Sequence, residues 1–143
     1  MTDKEPSTYT LEEGTELQLD FNKLSKATKQ CSDIIPVAVQ NAETKEIILI
    51  AYTNKQAFQE SIKTRIATFW STSRNELWIK GGGSGNTFML LEVRVNCEQN
   101  SIVYIVRPNK EGICHTNNTS GKARNCYYRR FDMERGLLEN LDP

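Results

Sequence analysis

FMLLEVRVN (residues 88–96) and SIVYIVR (residues 101–107) flank the polar tetrapeptide CEQN (residues 97–100), and this stretch decides the fold class. Both flanks are rich in the aliphatic, β-branched and aromatic residues that favour strands. A four-residue polar connection between two such runs predicts a β-hairpin, because antiparallel neighbours need only a short turn. Cys97 stands at the entry of that turn, so we expect this thiol at a strand end.

The preceding sequence repeats this pattern twice. IIPVAVQ (34–40) and EIILIAY (46–52) flank a polar NAETK, and ATFWS (67–71) and ELWIK (76–80) flank TSRN. Each pair predicts a further hairpin. Between the two pairs, Thr53 and Gln56 have the spacing of a capping box and predict one short helix that ends near Thr64.

The two ends of the chain are less regular. Residues 1–32 are polar and weakly patterned, and we expect them to form a partly ordered extension before a single domain over residues 33–143. Residues 112–125 are a turn-rich loop, and the amphipathic MERGLLENL (133–141) predicts a short C-terminal helix. The expected fold is therefore α+β, with a mainly antiparallel sheet of hairpins, a short central helix and a short C-terminal helix.

Charge and hydropathy exclude several classes of partner. The 143 residues contain 18 Lys and Arg against 18 Asp and Glu, so no global positive field attracts nucleic acid. The aliphatic runs at residues 47–51 and 102–106 fall far short of the roughly 20 residues of a membrane helix. The acidic N-terminus has no apolar segment of a secretory signal. We expect a cytoplasmic protein with neither a nucleic-acid nor a membrane partner.

Cysteine and histidine are the side chains most suited to chemistry here. Cys31 is isolated, whereas Cys97, Cys114 and Cys126 lie in the last third of the chain, and the sole histidine, His115, follows Cys114. Three thiolates can hold a catalytic Zn²⁺ and leave one coordination position for water. Because neighbours on an extended segment point to opposite sides, His115 would act beside the metal rather than bind it. Unrelated buried thiols are the alternative, since the spacing matches no CxxC pattern.

Three further features could contact a phosphorylated ligand. The loop GGGSGN (81–86) could bring backbone N–H groups to a phosphate, although a flexible hairpin loop has the same composition. Trp70 and Trp78 could stack on a base or pack in the core. Four cations lie nearby or downstream in the sequence: Arg74, Lys80, Arg129 and Arg130. These cations could bind phosphate locally or form a solvated surface.

Taken in order, IPVAVQ, EIILIAYTNKQAF, TFWSTSRNELWIKGGGSGN, VRVNCEQNS, GICHT and NCYYRR resemble the motifs of the phosphoribosyl-AMP cyclohydrolases. The resemblance spans residues 34–130. It implies zinc-dependent hydrolysis of the N1–C6 bond of the adenine ring of phosphoribosyl-AMP, a small nucleotide, in histidine biosynthesis. In that family, cysteines matching Cys97, Cys114 and Cys126 bind zinc and come from both chains of an intertwined homodimer.

The resemblance also implies roles for individual residues. Zinc lowers the pKa of its bound water, which would attack C6, and His115 would transfer a proton. The implied substrate-binding residues are Trp70, Ser71, Ser73, Arg74, Trp78, Lys80, Ser84, Gly85, Asn86 and Arg129.

Two departures from the family pattern stand out. Asn96, Glu98 and Asn100 occupy the positions of an Asp-Cys-Asp-x-Asp motif whose three carboxylates bind Mg²⁺, so we expect Mg²⁺ to bind weakly here. Residues 80–85, KGGGSG, likewise lack the glutamate of the family's KGETSG. Two alternatives therefore stay open: a divergent paralogue that hydrolyses another purine nucleotide or heterocycle, and a zinc-stabilised, non-catalytic nucleotide-binding dimer.

Overall fold

The computed structural model describes residues 7–83, 85–110 and 116–143. Its elements, in chain order, are α1 (Thr8–Glu13), α2 (Lys23–Gln30), β1 (Ile35–Asn41), β2 (Ile47–Thr53), α3 (Lys55–Thr64), β3 (Thr68–Ser71), β4 (Glu76–Ile79), β5 (Phe88–Val95), β6 (Ile102–Pro108), β7 (Arg129–Asp132) and β8 (Leu137–Asn140). Within these ranges, no helix has the length and hydropathy needed to span a bilayer.

The main sheet has four strands in the order β2-β1-β6-β5. The pairs β1–β2 and β5–β6 are antiparallel hairpins, and β1 runs parallel to β6 with Val37 opposite Ile102. β3 and β4 form a separate antiparallel pair. The three predicted hairpins and the mainly antiparallel α+β class are therefore confirmed, and the parallel β1–β6 pairing joins the first hairpin to the third.

A hydrophobic core fastens the β3–β4 hairpin and α3 to this sheet. Val37 and Val39 alternate with more exposed neighbours along β1, so that one face of the strand is buried. The ring of Phe69 on β3 lies 5.8 Å, centroid to centroid, from that of Tyr104 on β6. The buried Ser61 Oγ of α3 accepts a hydrogen bond from the Thr68 N–H at 2.8 Å and donates one to the Thr68 carbonyl at 2.9 Å.

The central helix ends at Thr64 as predicted, but its N-cap differs from the prediction. Thr53 is the last residue of β2, and Asn54 caps α3 by accepting a hydrogen bond from the Ala57 N–H at 2.9 Å. Asparagine in extended conformation is a preferred N-cap, and its side-chain oxygen satisfies a backbone donor that the helix leaves unpaired. The capping-box interpretation of Thr53 and Gln56 was wrong by one residue.

The predicted C-terminal helix is wrong, because residues 129–140 form the β7–β8 hairpin. Asp132 begins a single helical turn: its carboxylate accepts the backbone N–H groups of Glu134 and Arg135, each at 3.0 Å. Gly136 then adopts a φ of +68°, a left-handed conformation that ends the turn. The amphipathic spacing of MERGLLENL thus belongs to a strand–turn–strand segment.

The N-terminal segment contains two helices, and α1 is fixed to the C-terminal part of the chain. Arg124 Nη1 lies 2.6 Å from Glu13 Oε1, and only 3% of the Arg124 side chain is exposed. The Tyr128 hydroxyl donates to the Glu12 carbonyl at 2.5 Å, and the Leu138 N–H donates to the Thr15 carbonyl at 2.7 Å. These contacts place α1 against the chain on either side of Cys126.

The Glu13–Arg124 pair should contribute more to stability than an exposed pair of similar geometry. Glu13→Ala leaves a buried guanidinium without its carboxylate, and we expect it to lower the free energy of unfolding by about 2 kcal/mol or more. The matched control is Glu139→Ala, which removes an exposed partner 2.7 Å from Arg130 and should cost less than about 1 kcal/mol. Urea denaturation measures both, and equal losses would contradict the expectation.

Candidate active site

A cleft of about 450 Å³ lies between β2, the β3–β4 hairpin and the start of α2. Six of the ten predicted substrate-binding residues line it: Trp70, Ser71, Ser73, Arg74, Trp78 and Lys80. Cys126, a predicted zinc ligand, lines the same cleft. The fold therefore joins residues of the hairpin to a cysteine more than 45 positions further along the chain.

The β3–β4 turn holds its polar groups through local hydrogen bonds. The Ser71 hydroxyl accepts the Arg74 N–H at 3.3 Å and lies 3.4 Å from the Ser73 hydroxyl. Trp70 Nε1 donates to Asn75 Oδ1 at 3.0 Å, and Asn75 has the left-handed φ of +53° that a tight turn favours. The hydroxyls of the turn consequently have fixed positions beside the indole of Trp70.

Both tryptophans of the chain contribute to the cleft. Trp78 stands opposite Phe69 in the strand register, with ring centroids 5.8 Å apart, and is half-buried. The Lys80 ammonium lies 5.7 Å from the centroid of the Trp78 ring. The sequence left open whether the tryptophans pack in the core or stack on a base. Trp78 packs on the core and also presents part of its surface to the cleft.

Among the described residues, the lining of the cleft carries no carboxylate and three cations: Lys23, Arg74 and Lys80. Glu76 lies 3.5 Å from Arg74, but both side chains are more than half exposed, so this pair offsets little of the charge. The cleft therefore suits an anionic ligand. Lys23 was not among the predicted site residues, because nothing in the weakly patterned N-terminal sequence distinguishes it from Lys26 or Lys29.

The structure separates two of the predicted zinc ligands within one chain. The Cys126 N–H donates to the Ile48 carbonyl of β2 at 3.3 Å, whereas Cys97 follows β5 at the opposite edge of the sheet. Three strand spacings put these edges about 14 Å apart. Through the strand pairings, Val95 of β5 lies level with Ala51 of β2. Cys97 follows Val95, whereas Cys126 lies beside Ile48, so the two thiols are also offset along the strand direction.

One ion cannot bind both of these thiols of the same chain, because zinc–sulfur bonds are about 2.3 Å long. Cys97 and Cys126 are both exposed. No cluster of three His, Cys, Asp or Glu side chains occurs within residues 7–83, 85–110 and 116–143. Cys114 and His115, the other predicted metal and catalytic residues, lie outside the described residues.

The residues at the predicted second metal position bond to one another. Asn96 Oδ1 accepts the backbone N–H groups of Asn100 and Ser101 at 3.0 Å each, and Asn96 Nδ2 donates to Asn100 Oδ1 at 2.6 Å. Asn100 Nδ2 in turn donates to Glu98 Oε2 at 3.2 Å. This set offers one carboxylate and amide oxygens already engaged in the turn, so it does not fit a site for a hard cation.

Three of the four remaining predicted substrate residues do not line the cleft: Gly85, Asn86 and Arg129. Gly81 and Gly85 have φ values of +76° and +78°, and a Cβ on Gly81 would lie 2.0 Å from the Asn86 carbonyl oxygen, which makes glycine necessary there. Asn86 Oδ1 accepts the Lys110 N–H at 2.9 Å. Arg129 donates to the Gly14 carbonyl at 3.3 Å. Ser84 lies outside the described residues.

Comparison with known proteins identifies relatives of this chain. A family model described as phosphoribosyl-AMP cyclohydrolase matches residues 49–128, which include most of β2, the β3–β4 hairpin, Cys97 and Cys126. The phosphoribosyl-AMP cyclohydrolase of Archaeoglobus fulgidus is 40% identical over 99 residues, which cover 69% of this chain and 86% of that protein. That of Nitrosopumilus maritimus is 45% identical over 83 residues, or 58% and 76% of the two chains. A histidine biosynthesis bifunctional protein of Aquifex aeolicus is 33% identical over 89% of this chain and 55% of its own length.

Proposed function

The chain belongs to the phosphoribosyl-AMP cyclohydrolase family, a family of hydrolases in histidine biosynthesis, and on that premise we propose that it opens the adenine ring of phosphoribosyl-AMP by zinc-dependent hydrolysis of the N1–C6 bond. The observation that carries the proposal is a single cleft in which Cys126 meets two tryptophans and three cations. In such a cleft, tryptophans can stack on the purine ring of the nucleotide, cations can bind its two phosphates, and the cysteine can bind the zinc that the hydrolysis requires.

The cleft residues bind and orient the nucleotide. Trp70 and Trp78 present aromatic surface on which the adenine ring stacks, a contact worth about 1–3 kcal/mol per base. The cations of the lining attract the phosphates, and the hydroxyls of Ser71 and Ser73 are placed to hydrogen-bond the sugar or the ring. The indole surfaces also exclude water from one side of the ring, which strengthens the electrostatic contacts there.

The thiol of Cys126 fits a zinc site in this cleft, since thiolates are ligands that select soft cations over Mg²⁺. Zinc bound by Cys97, Cys114 and Cys126 would lower the pKa of the attacking water. The water oxygen becomes the carbonyl oxygen of a carboxamide at C6, and the N1–C6 bond breaks. His115 accepts a proton from the water and returns it to N1, for which an imidazole pKa near neutrality is suited.

The separation of the two edge cysteines supports the proposal of a homodimer. If Cys97 and Cys126 bind the same ion, they must come from different chains, because within one chain they stand at opposite edges of the sheet. Cys97 is exposed at its edge and can therefore reach the cleft of a second copy. Two such contacts related by a twofold axis would make two equivalent sites.

The zinc proposal predicts about one Zn²⁺ per chain in the purified protein. Cys126→Ser should lose the metal, because a neutral hydroxyl is a poor replacement for a thiolate ligand. The control is Cys31→Ser: Cys31 is buried and does not itself line the cleft, and a serine hydroxyl can still donate to the Thr72 carbonyl, so zinc content should stay unchanged. Elemental analysis of the three proteins decides the matter, and stoichiometric zinc in Cys126→Ser would contradict the proposal.

The shared site predicts complementation between two inactive variants. Neither Cys97→Ser nor Cys126→Ser should bind zinc or turn over alone, but a mixed dimer contains one site with both cysteines intact. Random pairing of equal amounts should restore about a quarter of the activity and zinc of the parent protein. Scattering should give a mass near twice the 16.3 kDa of one chain. No recovery on mixing would mean that each site is built from a single chain.

Substrate hydrolysis and its response to magnesium can be tested together. The parent protein should hydrolyse phosphoribosyl-AMP, and the absorbance change on ring opening measures the rate. The rate should depend little on added Mg²⁺, because Glu98 is the one charged residue at the three positions 96, 98 and 100. The double variant Asn96→Asp, Asn100→Asp should gain a Mg²⁺ dependence. An absolute requirement for Mg²⁺ in the parent protein would contradict this assignment.

The lost carboxylates favour one alternative, a paralogue acting on another purine nucleotide or heterocycle. Zinc binding without turnover of phosphoribosyl-AMP in either protein would support that alternative.

A further inference from the structure

The N-terminal segment forms part of the cleft wall, although it lies before the residues 49–128 matched by the family model. Helix α2 is fixed to the β3–β4 turn near its C-terminal end. Gln30 Nε2 donates to the Ser73 carbonyl at 3.2 Å, and the buried Cys31 thiol donates to the Thr72 carbonyl at 3.5 Å. Ala27 is also buried, with 3% of its surface exposed. These contacts fix α2 relative to the turn that carries Ser73 and Arg74.

The first residue of α2, Lys23, reaches the cleft lining at the other end of this helix. Its two companion cations have contacts of their own: Arg74 lies 3.5 Å from Glu76, and Lys80 lies over the ring of Trp78. Among the described residues, Lys23 has no ion-pair partner. Lys23 is exposed, and the described residues of the cleft lining include no carboxylate that could neutralise it.

The place of Lys23 on the helix adds to this argument. Lys23 is at the end where the helix dipole is positive, and the first turn of α2 contains no acidic residue; Asp20, just before the helix, accepts the Asn22 N–H at 3.0 Å and does not line the cleft. A cation at this end is electrostatically unfavourable, whereas an anion bound there is stabilised by the ammonium and by the dipole together. Cavity, charge and dipole therefore all favour an anionic group beside Lys23.

We propose that Lys23 binds a phosphate monoester of the nucleotide, so that the N-terminal segment supplies part of the substrate site. The assignment of that phosphate to phosphoribosyl-AMP rests on the proposed function, whereas the phosphate contact itself does not depend on turnover. A phosphate of the nucleotide is remote from C6, where the bond breaks, so a contact with it would be the same before and during the reaction. Lys23 therefore contributes to substrate affinity and not to the rate of the chemical step.

Ligand binding tests the contact without any need for activity. Trp70 and Trp78 are the only tryptophans of the chain and both line the cleft, so quenching of intrinsic fluorescence reports its occupancy. The probes are AMP and ribose 5-phosphate, each of which carries one phosphate monoester, and adenosine, which carries none. Lys23→Ala should weaken binding of at least one phosphorylated probe about tenfold and leave adenosine binding unchanged.

Two variants on the same helix serve as controls. Lys26→Ala removes an equal charge outside the cleft lining and should behave as the parent protein. Lys23→Arg keeps the charge and should retain most of the affinity for the phosphorylated probe. The proposal would be overturned if Lys23→Ala weakened adenosine binding as much as phosphate binding, or if Lys26→Ala had the same effect as Lys23→Ala. It would also be overturned if Lys23→Ala left the affinity for both phosphorylated probes unchanged, or if the parent protein bound neither of them.

Kinetics on phosphoribosyl-AMP supply the second measurement. Lys23→Ala should raise KM about tenfold and leave kcat within about twofold of the parent value, whereas a loss of folding would lower the active fraction and kcat. A fall in kcat with unchanged KM would overturn the proposal. If the parent protein does not turn over this substrate, the proposed function fails, and the fluorescence measurements still decide the role of Lys23.

Discussion

The parallel pairing of β1 with β6 is the constraint on which the rest of the molecule depends. Hairpins form from local sequence. The parallel pairing instead connects residues 37–41 with residues 102–106, which are more than 60 positions apart in the chain. This pairing makes β1 and β6 the inner strands and leaves β2 and β5 as the edges. It also buries Val37, Val39, Tyr104 and Val106 in one continuous core, whose hydrophobic stabilisation holds the two hairpins together.

The distance between the two edges has a direct consequence for chemistry. A thiol beside β2 and a thiol after β5 cannot meet within one chain, so a zinc site that uses both needs a second copy. Edge strands also expose unpaired backbone groups that natural proteins cover or protect. A dimer that covers these edges and completes the proposed metal site would meet both requirements through one interface, and would couple oligomeric assembly to catalysis.

The segments outside the sheet act mainly by positioning. The β3–β4 hairpin is anchored by Phe69 and by the Ser61–Thr68 hydrogen bonds, so its polar turn has a defined place beside β2. The segment around Cys126 is held between β2 and α1, through Ile48 on one side and the Glu13–Arg124 pair on the other. Such support reduces the freedom of a ligand-bearing segment and so lowers the entropic cost of ordering it around a substrate or metal.

Local sequence was sufficient for those parts of the protein that local interactions determine. Apolar runs separated by short polar turns predicted the three hairpins, and the periodicity of residues 55–64 predicted the central helix. The order of the motifs indicated the family and pointed to the residues around Trp70 and Trp78 that line the cleft. It failed at residues 133–141, where a helical spacing of apolar residues competes with the left-handed turn at Gly136. The cap at Asn54 was missed because Thr53 has similar capping chemistry.

Only the tertiary structure decided which of these segments meet. The parallel β1–β6 pairing, the separation of Cys97 from Cys126 and the arrival of Lys23 at the cleft all depend on contacts between residues far apart in sequence. A lone lysine in a polar extension carries no local signal, because its neighbours Lys26 and Lys29 are chemically identical. Its position follows from burial of Ala27 and Cys31 and from the Gln30–Ser73 hydrogen bond, which are long-range interactions that no periodicity encodes.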